Sequence, residues 1–179
     1  MIFCHSKTPQ TLDFWSNFWG AHHINTPEDF LTKAKEGLSE IGIKKGRIVP
    51  RNSILVTCIA GSKNVIGNAA IADREVAFNQ QINAIVPDVN TYFLYVHILV
   101  SKKKIQDKST GGMKGLVSKS TFQNIKFMYP PKDLQNKFGE YFIEITKQKQ
   151  LLKQSLTELE NNFNSLMQRA FNGELFKGE

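Results

Sequence analysis

Several things this sequence has little of narrow its function. With two cysteines, Cys4 and Cys58, in 179 residues, it cannot carry a disulfide framework and fits a reducing compartment, the cytoplasm. Cys4-His5 and His22-His23 are its metal-like clusters, and their spacing matches no recognised zinc arrangement, so neither metal nor cofactor is expected. There is no Gly-rich phosphate fingerprint, Walker loop, His-Glu-x-x-His or Gly-x-Ser-x-Gly elbow. Of the adjacent carboxylates, Glu28-Asp29 reads as part of a helix start, and Asp73 and Glu75 fall in a strand connection. The longest apolar run, Tyr92 to Val100, is too short to span a bilayer and is followed by Lys102-Lys103-Lys104. No signal-peptide layout, internal repeat or low-complexity tract appears. These absences argue against an enzyme and against a membrane protein.

What is present is dominated by the last quarter of the chain, 134–171, which reads as one amphipathic helix. Pro130-Pro131 closes the preceding segment, and Asp133 supplies a carboxylate where a helix start favours one. Ile145, Leu152, Leu156, Leu159, Phe163, Leu166 and Ala170 keep the alternating three-and-four spacing of a coiled-coil seam, broken by Lys149. Phe138 and Tyr141 or Phe142 extend it upstream. At about 1.5 Å per residue the helix reaches roughly 55–60 Å, so it is expected to project and to pair through its seam. A helix laid across its own globular body is the alternative.

Charge divides along the same line. Residues 132–179 hold seven basic and seven acidic side chains, whereas residues 1–131 hold sixteen and nine and so carry the whole net charge of +7. A basic globular part joined to a neutral helix suggests a polyanion partner for the first and a protein partner for the second. A simply solvated basic surface would look the same.

Along the chain, Thr26-Pro27-Glu28-Asp29 predicts a short helix through Lys35. Ser53–Ala60, Val65–Ala72 and Ile82–Val86 read as strands, with Gly61-Ser62-Lys63-Asn64 as a connection. A second helix is expected from Thr91 to about Lys108, then a basic loop from Ser109 to Gly115. Ser120 and Gln123 are spaced as a capping box, and Ile125–Tyr129 reads as a strand. The predicted fold is α+β: a small mixed α/β domain at 1–130, followed by a long coiled-coil-forming helix at 131–179.

The polar groups suited to nucleic acid lie in loops. Lys7, Lys63, Lys114 and Lys119 fall there, three of them close to glycines that let the backbone approach a phosphate. Asn79-Gln80-Gln81 places three amides in a row, which can read adenine edges or equally tie a loop together.

Taken in order, these residues resemble the specificity subunit of type I restriction-modification systems. The resemblance runs through Ser6-Lys7-Thr8-Pro9, Trp19-Gly20 with Ile24, Thr26-Pro27, Asp29-Phe30, Ile48-Val49-Pro50 ahead of Ser53–Ala60, Phe78-Asn79-Gln80-Gln81 and Phe93-Leu94-Tyr95. It continues through the Ser109–Lys119 loop, Asn124-Ile125-Lys126, Pro130-Pro131 and Gln135, and closes on Asn164 to Phe171 with Gly173-Glu174-Leu175. Each stretch is common; their order over nearly the whole chain is specific. Such subunits usually carry two target-recognition domains and two spacer helices paired antiparallel, whereas this chain holds one of each. Recognition domains of this kind also tend to begin with a Trp-containing strand, and here Met1–His5 precede the Lys-Thr-Pro stretch.

The resemblance implies a DNA-binding, non-catalytic protein that reads one part of a split target and directs methyltransferase (modification) and endonuclease (restriction) subunits to it. Its helix would pair with a second copy or the second half of a specificity subunit. The DNA-binding residues would be Lys7, Thr8, Lys63, Asn64, Asn79, Gln80, Lys114, Ser118 and Lys119, the loop lysines positioning the DNA backbone and neighbouring polar side chains reading bases. The competing expectations are an adaptor that dimerises through its C-terminal helix without touching DNA, and a small hydrolase without a recognisable motif.

Overall fold

Local sequence accounts for few of the strand pairings, which join segments far apart in the chain. The computed structural model describes residues 16–19, 24, 26–32, 36–38, 46–110 and 115–175. In chain order the strands are β1 (Ser16–Trp19), β2 (Glu36–Leu38), β3 (Arg47–Val49), β4 (Ile54–Thr57), β5 (Ile59–Ala60), β6 (Ala69–Ile71), β7 (Val76–Phe78), β8 (Ile82–Ile85) and β9 (Gly115–Leu116). They form a mixed sheet ordered β2-β1-β7-β3, an antiparallel sheet ordered β6-β4-β8, and a short β5-β9 ribbon. In the first sheet β1 runs parallel to β7 and antiparallel to β2.

Strand β4 is central because every one of its residues is buried, as a run of β-branched and leucine side chains requires. Leu55 lies between Ala70 on one neighbour and Ala84 on the other, so small residues make room for the large one. Leu55 belongs to a core with Ile24, Leu31, Val49, Val76, Phe78 and Ile82.

The strand expected over Ser53–Ala60 is in fact two. Cys58 and Ile59 both donate their backbone N–H to the Gln81 carbonyl, at 2.8 and 3.1 Å. Two residues facing one make a bulge, which turns β5 out of the β4 ladder and toward β9. The strand expected over Val65–Ala72 shrinks to β6. A 3-10 turn at Lys63–Val65 precedes it, and Gly67 adopts a φ of 82°, a conformation that suits glycine. Residues 26–32 form no helix: Phe30 bridges Ile71 in parallel, and Leu31 N–H donates to the Ile71 carbonyl. Ile125–Tyr129 is no strand either, since Met128 N–H is taken by His97 Nε2 at 3.0 Å instead of by a ladder partner.

The helix expected over Thr91–Lys108 breaks at buried Ser101 into α1 (Thr91–Val100) and α2 (Lys102–Gln106). Asn90 caps α1, its Oδ1 accepting from Tyr92 and Phe93 N–H. Helix α3 (Lys119–Gln123) is capped by Ser118, two residues before the expected Ser120. Helix α4 (Lys132–Phe171) runs 40 residues without interruption, about 60 Å. It ends in a Schellman arrangement, with Gly173 at φ 70° and Glu174 N–H donating to the Arg169 carbonyl. The chain divides into two compact units, Met1–Asn136 and Lys137–Glu179, so the division falls inside α4. This α+β domain followed by a long C-terminal helix is the fold class the sequence predicts.

Candidate nucleic-acid interface

The β5-β9 ribbon distributes the candidate residues between its ends. Lys63 and Asn64 follow β5 at the end where Ala60 faces Gly115. At the other end, Val117 N–H donates to the Cys58 carbonyl and the Gln81 carbonyl receives two N–H groups, bringing the Asn79–Gln81 turn and the Ser118–Lys119 segment onto Cys58. Lys7, Thr8 and Lys114 lie outside the described residues.

The first end is held from beneath. Gln106 Nε2 donates to the carbonyls of Lys63 and Ile66 at 3.1 and 3.2 Å, and Ser62 Oγ accepts from Asn64 N–H. This fixes the backbone and leaves Lys63 and Asn64 exposed to solvent. Gly115, at the ribbon's edge, has no room for a side chain, since a Cβ there would overlap Ile66 Cδ1 and Ser109 Oγ.

At the second end the polar side chains are more occupied. Asn79 Oδ1 accepts from Gln81 N–H at 3.0 Å and its Nδ2 donates to Gln81 Oε1 at 3.1 Å, so this amide closes its own turn. Gln80 is exposed beside it. Ser118 Oγ accepts from Thr121 N–H and shares hydrogen bonds with the Ser120 and Thr121 hydroxyls. Its first role is therefore to start α3, which presents Lys119 to solvent.

Beside this end lies a cleft of about 270 Å³ lined by Arg47, Phe78, Ile82, Asn83, Ala84, Lys119, Phe122 and Gln123. Of these, Lys119 alone stands among the candidates read from sequence. Arg47, Asn83 and Gln123 come from β3, β8 and α3, and no local pattern links such separated segments.

Under the same surface sits Cys58, buried, with its thiol pushed up to about 12 by burial against the weaker pull of the Asn83 side chain and backbone. Tyr95 is raised as well, first by burial and then by the Asp29 carboxylate, to which its hydroxyl donates at 3.1 Å. Neither group is disposed to act as an acid or base near neutrality.

On α4, Ile145, Leu152, Leu156, Leu159, Phe163 and Leu166 are all more than half exposed in the single chain, and Ala170 is exposed too. The seam read from sequence therefore lies on the surface of the helix.

Similarity to known proteins matches this arrangement. The type I restriction modification DNA specificity domain matches residues 19–161, taking in the body and most of the helix. The chain is 30% identical over 156 residues to the type I restriction enzyme HindI specificity subunit of Haemophilus influenzae, covering 82% of this chain and 32% of that one. It is 26% identical over 158 residues to the MjaIX specificity subunit of Methanocaldococcus jannaschii, covering 77% and 36%. Among solved structures, a chain from a type I R-M system, studied for its complex assembly and conformational transition, shares the fold with a TM-score of 0.62 at 18% identity, covering 97% of this chain and 43% of that one. The HsdS subunit of Thermoanaerobacter tengcongensis does so with a TM-score of 0.52 at 17% identity, covering 97% and 42%. The chain thus spans about a third of the length of the curated relatives it matches. With four-fifths of its length matched, it belongs to the type I restriction-modification DNA specificity family.

Proposed function

We propose that this chain reads DNA for a type I restriction-modification complex and does no chemistry of its own. Its body, the recognition domain at 1–130, binds one part of a bipartite target, and modification and restriction subunits carry out adenine methylation and cleavage there. The observation that carries this reading is the family match across both body and helix. The placement of the entire +7 charge in residues 1–131 supports it, because non-specific DNA affinity comes chiefly from neutralised phosphates. Among the described residues no helix is long and apolar enough to cross a membrane. On this reading the protein acts in the cytoplasm without a metal or cofactor of its own.

The helical segment 131–179 pairs antiparallel with a second helix, supplied by another copy of the chain or by the second half of a longer specificity subunit. The exposed seam on α4 supports this, since six large apolar side chains at heptad spacing are stable in water only when covered. If two copies pair, a two-fold axis exchanges their bodies and both read the same bases on opposite strands.

Methylation mapping tests the proposal. With the cognate modification subunits present, methylated adenines should fall in two inverted, identical half-sites separated by a gap, and the purified chain alone should methylate nothing. An asymmetric bipartite site would assign the chain to a longer, two-domain subunit. Methyl transfer by the chain alone would overturn the non-catalytic reading, and absence of salt-dependent DNA binding would favour the helix-paired adaptor.

A further inference from the structure

Two exposed cations share one small cleft. Arg47 opens the edge strand β3, Lys119 opens α3, and both line the space of about 270 Å³ walled by Phe78, Ile82 and Phe122. Among the described residues no acidic side chain lines the cleft, and two like charges stand there together. An anion between them relieves their repulsion and gains from both. Asn83 also lines the cleft, with its Nδ2 buried, its amide bearing on the Cys58 sulfur, and no other partner for that nitrogen among the described residues.

The remainder of the wall is apolar, apart from the Gln123 amide. A bare inorganic anion would leave that wall unused, whereas a phosphodiester arrives with a sugar attached. The cleft also adjoins both segments of the second ribbon end, since Phe78 directly precedes Asn79 and Lys119 directly follows Ser118. We infer that this cleft is a seat for a backbone phosphodiester of the DNA, held by Arg47 and Lys119, with the attached sugar against the apolar wall. The inference rests on the DNA-reading role proposed above and adds Arg47 and Gln123 to the DNA-facing surface.

The test uses the full chain and duplex DNA, with affinity measured over a range of salt concentrations. Arg47→Ala with Lys119→Ala should lower the slope of log affinity against log salt by roughly 0.9, the value for one phosphate no longer neutralised, and should do so equally for all sequences. The control pair Lys108→Ala with Lys126→Ala removes the same charge from exposed positions that do not line the cleft and should leave the slope nearly unchanged. Thermal melting of each variant confirms folding, which is expected because both cleft cations are exposed. Equal slope losses in the two pairs would reduce the cleft to generic basic surface and overturn the inference. So would a wild-type slope in the cleft variant, while DNA binding itself stood. Inorganic phosphate is the second probe: if it raises the melting temperature of the wild type but not of the cleft variant, and the DNA slope is unmoved, the cleft holds free phosphate and not DNA. Failure of the wild type to bind any DNA would remove the DNA-reading role along with the inference.

Discussion

Gln135, in the first turn of α4, accepts a hydrogen bond from the backbone N–H of Asn90 at 3.3 Å, although 45 residues separate them. The same amide donates to the Pro130 carbonyl at 2.8 Å and is 1% exposed. Asn90 in turn caps α1 through its Oδ1, and its Nδ2 donates to Asn136 Oδ1. One buried amide thus joins the cap of one helix to the opening turn of another. Gln135→Leu leaves a half-buried N–H and a half-buried carbonyl without this partner, at a cost of about 1–3 kcal/mol. Urea unfolding measures it; a loss below about 0.5 kcal/mol would mean that water replaces the amide at this site.

The seam of α4 makes a second prediction. Leu152→Glu with Leu159→Glu places two carboxylates in the proposed helix pair without partners, and separation of the pair is the expected outcome. Sedimentation should report the single-chain mass for the double variant and a larger mass for the parent. Equal masses would rule out pairing of two copies through this face.

His97 gives the fold a pH dependence of known sign. Desolvation first, and then the Lys104 cation, hold its imidazole below the ordinary value, while Phe93 stacks on the ring and Phe127 meets it edge-on. Nε2 accepts from Met128 N–H, so the folded state requires it unprotonated. The unfolded chain therefore takes up this proton at a higher pH than the folded one. Its contribution is fully present above about pH 6.5 and is lost as pH falls below that. The melting temperature should drop between pH 7.5 and 5.5, and less steeply in His97→Gln, whose carbonyl can accept the same hydrogen bond without titrating. Parallel curves for the two proteins would clear His97 of any part in it.

Cys58 should be inert while the protein is folded. Burial pushes the thiol up to about 12, so at pH 8 it is held as the unreactive protonated form. In a Cys4→Ser background, labelling by a disulfide reagent should proceed only as fast as the chain opens, and should become immediate in denaturant. Rapid labelling of the native protein would show that the site is open to solvent.

The helix α4 was legible because its evidence is local: a heptad seam, a Pro-Pro stop and an acidic first turn all lie within a few residues of what they specify. Asn79 was half legible, since the row of amides was read both as base-reading and as loop-tying, and the turn uses it for the second. The break at Ser101 left no mark, because neither proline nor glycine announces it. Ile125–Tyr129 has the alternation of a strand but meets a histidine side chain where a ladder would be. Arg47 and Gln123 were invisible for another reason: they become neighbours only when β3, β7, β8 and α3 close on one cleft.

The pairing of Phe18 with Ala77 in parallel β1 and β7 also bears on the order in which the molecule is built. Loop-closure entropy delays such distant pairings, and Ile59 with Leu116 imposes a similar wait on the ribbon. A chain being synthesised cannot complete the cleft until Gln123 has emerged, long after Arg47. Helix α4 needs only neighbours four residues away and forms within about a microsecond of becoming free. The last element to emerge is thus also the quickest to form, so the helix face proposed above to pair is complete almost as soon as the chain is free.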